Sequence, residues 1–143
     1  MVKYIPSTSK WVRDQVNLYE KTNGKEGNTV GEYPVIIVTN IGRKTGAIRK
    51  TPLISVKDGR KYILIASQGG SPKHPNWYYN LKANPMVKIQ DGSNIHNMEV
   101  TEIFNSDERQ RLWQIAVQTY HPYQDYQDKT KRIIPVFLAV PIK

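Results

Sequence analysis

The segment at residues 42–52, GRKTGAIRKTP, concentrates side chains that bind anions. It holds two arginines, two lysines, two threonines and two glycines in one short connection. Guanidinium and ammonium groups supply charge to a phosphate, hydroxyl and backbone N–H groups supply directed hydrogen bonds, and glycine permits close approach. The GxxxxGK[ST] order of a nucleotide-binding P-loop is absent. The segment therefore predicts an anion-binding site of a different kind.

The net charge of +9 is concentrated in the middle of the chain. Residues 33–90 carry ten Lys and Arg residues and a single acid, Asp58, whereas residues 1–32 and 91–143 carry net charges of +1 and −1. A stretch with so few acids attracts anions, which include nucleic acid, lipid headgroups and small ligands with phosphate and carboxylate groups. Composition alone leaves these three classes open.

A second cluster, ASQGGSPKHPNWYYN at residues 66–80, combines small residues with aromatic ones. Ser67 and a glycine pair are followed by Trp77, Tyr78 and Tyr79. Flat rings beside backbone hydrogen-bond donors suit a planar heterocycle, because stacking and edge hydrogen bonds together determine its orientation. Packing in the core is the alternative for the two tyrosines.

A third cluster consists of Tyr120, Tyr123 and Tyr126, spaced three residues apart after a predicted helix. Segments in such places often form mobile, lid-like elements. Each phenol offers an apolar face and a hydroxyl that can donate to a substrate oxygen. Packing at the solvent edge is the alternative interpretation of these tyrosines.

Several other kinds of site have no support in the sequence. The three histidines show no metal-ligand spacing and the chain has no cysteine, so we expect no metal site. Ser67 lacks the partners of a hydrolytic triad, and no GxGxxG follows a strand. No apolar run reaches the length of a signal peptide or a membrane span, which predicts a cytoplasmic protein.

A strand-rich chain with three helices is predicted to position these clusters. Tight turns at KDGR (57–60) and at Asp91-Gly92 predict two antiparallel hairpins, one between 49–56 and 61–67 and one between 86–92 and 94–104. The remaining predictions are helices at 8–21 (capped by Ser7 or Ser9), 76–84 and 107–120 (capped by Ser106), strands at 34–40 and 133–140, a flexible loop at 22–32 and a polar linker at 121–132. Pro135 favours an edge or bulge position for the last strand.

These elements predict one domain, mainly β in the α+β class. Residues 1–32 would form an N-terminal helix and loop, and residues 33–143 a small cofactor-binding β-barrel with peripheral helices. Three classes of function remain open at this point. They are a cofactor-binding enzyme, a basic β-barrel that binds nucleic acid on a stacking platform, and a carrier without turnover.

Four motifs in order resemble the deazaflavin-dependent nitroreductase family of actinobacteria. They are GRKTGxxRxxPL at 42–53, AS at 66–67, GG followed by PxWYxNLKANP within 69–85, and YxDYQ at 123–127. The resemblance covers about residues 33–140. It implies a split β-barrel of the type shared with FMN-binding pyridoxamine-phosphate oxidases, and reduced coenzyme F420 as hydride donor to an electron-poor acceptor. An FMN-dependent split-barrel oxidoreductase is the alternative enzyme, because one fold serves both cofactors.

The resemblance also implies roles for individual residues. The phosphate and glutamyl tail of F420 would lie along one strand connection, the ring along two further stretches, and the acceptor beside the tyrosines and Ser67. In that order these residues are Arg43, Lys44, Thr45, Arg49, Lys50, Thr51, Pro52, Leu53 and Ile54; Ile65, Ala66, Ser67, Gln68, Asn76, Trp77, Tyr78, Tyr79 and Asn80; and Tyr120, Tyr123 (which would also contact the cofactor) and Tyr126.

The acceptor implied by the resemblance is a quinone such as menaquinone, or a nitroaromatic compound. Relatives that reduce nitroimidazoles have a tyrosine in place of Ile54 and a lysine in place of Gln68, so a quinone is the expected acceptor here. No nucleic-acid partner is expected. The N-terminal helix could contact the inner face of the cell membrane, where such quinones are found.

Overall fold

The computed structural model describes residues 3–142, which form four α-helices and eight β-strands. The helices are α1 (Lys10–Lys21), α2 (Asn76–Ala83), α3 (Ser106–Thr119) and α4 (Pro122–Lys129). The strands are β1 (Thr29–Val30), β2 (Tyr33–Ile41), β3 (Ile48–Ile54), β4 (Lys57–Asp58), β5 (Lys61–Ile65), β6 (Met86–Asp91), β7 (Asn94–Glu102) and β8 (Val136–Pro141). A short 3-10 turn spans Gln68–Gly70.

The strands form one curled antiparallel sheet with the helices at its periphery. Its order is β1-β2-β6-β7-β8-β5-β4, and β3 adds to β2. Each strand pair runs antiparallel. The predicted class, mainly β with peripheral helices, is confirmed.

Alternation of side chains along the strands divides the core into two main layers. Ile36, Val38 and Ile89 point into the curled sheet with Met98 and Phe137. The other face of β5 and β8 packs against α3 and α4 through residues such as Leu112, Trp113 and Ile134. On β2, Ile37 faces outward and is covered by Val16 and Tyr19 of α1. Helix α1 is thereby attached to the barrel wall.

The predicted hairpin between 49–56 and 61–67 is wrong. β3 pairs with β2 over residues 48–54, and β5 pairs with β8. The turn at KDGR does form, with Gly59 at a φ of 65°, but it joins β5 only to the two-residue strand β4. The turn dictates a local reversal of the chain, whereas the ladder partner depends on which strand completes a buried face. Thr51 and Leu53 lie opposite Val38 and Ile36 of β2, so pairing with β2 completes this face of the sheet.

The second predicted hairpin is confirmed. β6 and β7 pair from Met86 opposite Glu99 to Asp91 opposite Asn94, and Gly92 at the turn has a φ of 63°. The turn also contacts α1, because the Tyr19 hydroxyl accepts from Gly92 N (2.8 Å) and donates to Gln90 O (3.2 Å). This tight turn therefore anchors the N-terminal helix as well.

All three predicted helices form, with boundaries within a residue or two of those expected. Ser9 caps α1 by accepting from Val12 N (3.3 Å), as predicted. α2 covers most of 76–84. The third helix also forms, but its cap is Asn105 and not Ser106, because the Asn105 carboxamide accepts from Glu108 N (3.0 Å).

Three further predictions are corrected. The linker predicted at 121–132 contains α4, which begins at Pro122, a residue whose fixed φ suits the first helical position. Pro135 precedes β8, and β8 lies inside the sheet between β7 and β5, not at an edge. The loop predicted at 22–32 contains β1 and is held by hydrogen bonds from Gln15 and Asn28.

Candidate functional site

A cavity of about 580 Å³ opens beside β3. The edge of β3 away from β2 is bonded at Ile48 to residues 3–5, and further along the strand residues 51–54 line the cavity. Pro52 suits this part of the strand because it has no N–H to leave unpaired. We call this space the aromatic cavity. Its lining consists of Trp11, Val12, Gln15, Val30, Val35, Arg49, Thr51, Pro52, Leu53, Ile54, Ile65, Ser67, Gln68, Gly69, Pro75, Asn76, Trp77, Asn80, Tyr120, Tyr123 and Tyr126.

A smaller pocket of about 210 Å³ adjoins this cavity at the turn between β2 and β3. We call it the basic pocket; Gly42, Arg43, Lys44 and Thr45 line it, together with residues that also line the aromatic cavity, Arg49, Asn76 and Asn80. The two spaces therefore lie side by side and share part of their lining. They bring together the first and second clusters predicted from the sequence.

The turn that shapes the basic pocket is closed by its own backbone. Gly42 N donates to Ala47 O (2.7 Å) and Gly46 N to Gly42 O (2.9 Å), with Gly46 in the left-handed region at a φ of 70°. The Thr45 hydroxyl accepts from Ala47 N (3.1 Å). The turn thereby holds the basic side chains at the mouth of the pocket.

Arg43 is held by two neighbouring residues of α2. Its backbone N donates to the buried Asn80 carboxamide at 3.0 Å, and its guanidinium lies 4.8 Å from the centre of the Tyr79 ring. Tyr79 is thus placed beside the basic pocket and not in the aromatic cavity. Asn80, predicted as a ring contact, links α2 to the basic turn.

The charges of the basic pocket are not neutralised within the described part of the chain. Arg43, Lys44 and Arg49 take part in none of the ion pairs formed among residues 3–142. Lys50, in contrast, lies on the other face of β3, where its Nζ contacts Glu20 at 2.7 Å. The structure does not bring Lys50 to either space.

The ring-contact residues predicted from the sequence divide into two groups. Ser67, Gln68, Asn76 and Trp77 line the aromatic cavity, as do Ile65 and the β3 residues Thr51, Pro52, Leu53 and Ile54. Ala66 is fully buried, and Tyr78 packs on Phe137 in the core. The Tyr78 hydroxyl donates to Glu102 (2.9 Å), and burial together with this bond raises the pKa of Tyr78 to about 12. Tyr78 is therefore a structural residue here.

The three predicted tyrosines meet at the α3–α4 side of the aromatic cavity. The rings of Tyr120 and Tyr123 are 4.8 Å apart, and the hydroxyls of Tyr120 and Tyr126 lie within 3.1 Å. This hydrogen bond, assisted by burial, raises the pKa of Tyr120 to about 12, and burial raises that of Tyr123 as well. Both phenols stay protonated at neutral pH, so they can donate hydrogen bonds into the cavity.

Two contributions to the site were not predicted. Helix α1 supplies Trp11, Val12 and Gln15 to the lining, and no pattern in the sequence indicates that this helix packs against β2 beside the cavity. Arg132 binds the loop that carries Ser67, donating to the carbonyl oxygens of Ser67 (2.7 Å) and Ser71 (2.8 Å). This role was not predicted because Arg132 lies in the segment predicted as a linker.

The donor set fits an elongated ligand with an anionic tail and a planar, apolar ring. Cationic side chains lie at one end, and aromatic and aliphatic side chains with a few polar groups lie at the other. Among residues 3–142 no group of three His, Asp or Glu side chains could hold a metal ion. Also within these residues, no helix is long and apolar enough to cross a membrane.

The curled sheet and the two adjacent spaces define a split-barrel protein with a site suited to an anionic, ring-containing cofactor. The fold agrees with solved structures. A Clostridium acetobutylicum protein of the pyridoxinephosphate oxidase family is similar with a TM-score of 0.52 at 13% identity, over 90% of this chain and 85% of that one.

The family model of the F420H2-dependent quinone reductases matches residues 11–141, and the chain belongs to that family. It is 38% identical to an F420H2-dependent quinone reductase of Mycobacterium tuberculosis over 83% of this chain and 82% of the relative. A solved F420-H2 dependent reductase is 44% identical, with a TM-score of 0.71, over 75% of this chain and 94% of that one. Another solved relative, described as a domain-swapped dimer, is 41% identical with a TM-score of 0.73, over 94% of this chain and all of that one.

Family membership confirms the resemblance noted from the motifs and the split-barrel class. The chain is accordingly an F420H2-dependent oxidoreductase, with coenzyme F420 as its hydride donor. The comparisons support this interpretation and neither of its alternatives, an FMN-dependent oxidase and a nucleic-acid-binding barrel.

Proposed function

We propose that this chain reduces a quinone, holding the tail of F420 in the basic pocket and its ring in the aromatic cavity. The observation that carries the proposal is that the two spaces lie side by side and share Arg49, Asn76 and Asn80 in their linings. A cofactor with an anionic tail and a flat ring needs both environments in one groove. The mycobacterial relative is itself named a quinone reductase.

In the basic pocket the chain would bind and orient the anionic tail of F420. Arg43, Lys44 and Arg49 lack acidic partners among the described residues, so they supply uncompensated charge for phosphate and carboxylate groups. Arg43 is already positioned by Asn80 and Tyr79, which reduces the entropy lost when a ligand binds.

In the aromatic cavity the chain's part is to place the acceptor and exclude water. F420H2, when bound, supplies the hydride. Trp77 and Ile65 form apolar walls, and Ser67 and the tyrosines offer hydroxyl donors for an acceptor oxygen. The Tyr120 hydroxyl is protonated at neutral pH, as a phenol ordinarily is, and the proton that completes reduction comes from water or from a tyrosine.

A quinone suits this lining better than a nitroimidazole does. Ile54 adds an aliphatic wall where nitroimidazole-active relatives of the family have a tyrosine hydroxyl, and Gln68 adds no charge. Val12, Val30 and Val35 extend the apolar surface, which favours a fused-ring quinone with an alkyl tail.

The first prediction concerns the basic pocket. Arg43→Ala is expected to weaken F420 binding by about 1.5–3 kcal/mol, the usual contribution of a charge-assisted hydrogen bond. Quenching of tryptophan fluorescence during titration measures this affinity. Arg60→Ala is the matched control, because Arg60 is exposed and lines neither space.

Titration with FMN and turnover with a menaquinone analogue complete the experiment. Saturable binding of F420 but not FMN, and oxidation of F420H2 by the quinone, are expected. Tight binding of FMN without F420 binding would contradict the proposal. An unchanged F420 affinity in Arg43→Ala would remove this residue from the site.

We further propose that α1 lets the protein contact a membrane surface that contains quinone. Trp11 and Leu18 lie seven residues apart, on one face of the helix, and their exposed fractions are 62% and 40%. Trp11 also borders the aromatic cavity, so this face adjoins the entrance for an acceptor. The net charge of +9 favours an anionic lipid surface.

A further inference from the structure

Gln15 of α1 lines the aromatic cavity and carries a buried polar atom that has no hydrogen-bond partner among the described residues. The side chain is 8% exposed and lines the cavity. Its Nε2 donates to Gly27 O (3.1 Å) and Thr29 O (3.3 Å), whereas its buried Oε1 has no hydrogen-bond partner. Buried acceptors are almost always paired in folded proteins, so an unpaired one that lines a ligand cavity calls for a donor from the ligand.

The orientation of this amide is dictated by its surroundings. Exchanging Oε1 and Nε2 would place an oxygen against the carbonyl oxygens of Gly27 and Thr29, and both hydrogen bonds would be lost. The atom left over for the cavity is therefore a pure acceptor. It can bind an O–H or N–H group, and it repels a carbonyl oxygen.

Gln15 lies on the side of the cavity that holds the tyrosines. It binds Thr29 of β1, the adjacent Val30 pairs with Tyr33, and the Tyr33 ring contacts the Tyr120 ring with 4.8 Å between centroids. The basic pocket, in contrast, has no lining residue from α1. Gln15 therefore belongs to the lining of the aromatic cavity and not to that of the basic pocket.

Quinone reduction creates the donor that this acceptor needs. The hydride delivers two electrons and one proton, a second proton follows, and both carbonyl groups become hydroxyl groups. A quinone oxygen can only accept a hydrogen bond, whereas a hydroquinone oxygen can also donate one. The reaction thus converts a group that Gln15 Oε1 repels into one that it binds.

We propose that Gln15 is a substrate-binding residue whose Oε1 accepts a hydrogen bond from the newly formed hydroxyl of the reduced quinone. This inference rests on the proposed function. Because the interaction strengthens as the oxygen gains its proton, it favours the reduced state and the transition state leading to it over the bound quinone. The tyrosine hydroxyls can donate hydrogen bonds and would bind the carbonyl oxygens of the oxidised quinone.

The test compares three ligands under anaerobic conditions: a naphthoquinone, its hydroquinone, and the dimethyl ether of that hydroquinone, which has no O–H. Their affinities for the unmutated protein are measured in the presence of oxidised F420. The hydroquinone is expected to bind at least about threefold more tightly than the dimethyl ether, the preference that one neutral hydrogen bond gives. Equal affinities would overturn the proposal without any variant being needed.

Gln15→Met then removes the acceptor while keeping the length of the side chain. The variant is expected to lose about 3- to 10-fold in hydroquinone affinity, and little in affinity for the quinone or the dimethyl ether. Asn28→Ala is the matched control, because it loses the bond from Asn28 Nδ2 to Gly24 O in the same loop and lines no part of the cavity. This control is expected to leave all three affinities unchanged.

Other outcomes separate the alternatives. A similar loss for all three ligands in Gln15→Met means that the residue only shapes the loop, and it overturns the proposal. A loss confined to F420 affinity assigns the acceptor to an N–H group of the cofactor and also overturns it. Failure of the proposed function itself would be visible in the unmutated protein, as an absence of F420 binding or quinone turnover.

Discussion

Arg132 and His74 form a contact that holds the loop beside Ser67. Arg132 donates to the carbonyl oxygens of Ser67 and Ser71, and its Nη1 lies 3.0 Å from His74 Nδ1. Arginine has only donors, so His74 must be neutral with Nδ1 as acceptor. Burial and the charge of Arg132 lower the pKa of His74 accordingly.

This contact predicts a pH dependence of stability. Because the folded-state pKa of His74 is lowered, its contribution is fully present above the unfolded value of about 6.5 and is lost as pH falls from there through the folded value. The free energy of unfolding is expected to decline more between about pH 7.5 and 5.5 in the unmutated protein than in His74→Gln. Urea unfolding at the two pH values measures this difference, and equal declines would exclude His74 as the cause.

Individual site residues could be predicted where a residue type carries the chemistry. Arg43, Ser67 and Trp77 were predicted as site residues from their charge, hydroxyl and ring, and they do line the two spaces. Lys50 and Tyr78 were not, because the sequence does not show which face of a strand or helix will meet the barrel. Arg132 and Gln15 act through backbone carbonyl groups of distant residues, which leave no pattern in the sequence.

At the level of elements, the 3-10 turn at Gln68–Gly70 packs closely against α4. Gly70 has a φ of 80°, and a Cβ built there would lie 2.8 Å from Tyr126 O. Gly69 has a φ of 61°, but a Cβ there would meet nothing within 4 Å. Alanine at Gly69 would therefore add backbone strain only, whereas alanine at Gly70 would add backbone strain and a steric overlap.

Gly69→Ala is expected to cost about 1–2 kcal/mol from left-handed backbone strain alone. Gly70→Ala is expected to cost about 1–3 kcal/mol more, because α4 must move away from the added methyl group. Thermal unfolding compares the two variants. Since α4 carries Tyr123 and Tyr126, only Gly70→Ala should also raise the KM for the quinone; equal effects on stability and KM would contradict this account of the packing.

The elements were predicted best where turns and caps are local. Ser9, the Asp91-Gly92 turn and the start of α2 after Pro75 are short-range signals, and these features formed as expected. The pairing of β3 with β2 and of β5 with β8 depends on burial shared between distant residues, so the local turn at KDGR was misleading. The three-residue spacing of Tyr120, Tyr123 and Tyr126 is helical and could have revealed α4.

At the scale of the whole molecule, two features predict binding to anionic vesicles. They are the net charge of +9 on the chain and the exposed apolar face of α1. Vesicles of phosphatidylglycerol and phosphatidylethanolamine are expected to carry the protein upward in a flotation gradient at low salt. Leu18→Ser should reduce the floating fraction, because it removes an exposed apolar side chain from α1. Ile95→Ser, at an exposed site on β7, is the matched control. Equal flotation of both variants and the parent would exclude α1 as the contact.

The position of β8 has a consequence for how the protein is made. β8 lies between β7 and β5, although residues 136–141 follow every strand with which they pair. While a ribosome is still adding this segment, β5 has only the two-residue strand β4 beside it, and its apolar face can bind other chains. The nascent protein therefore depends on the last strand to join its two halves, and a chaperone that shields β5 until then would protect its yield.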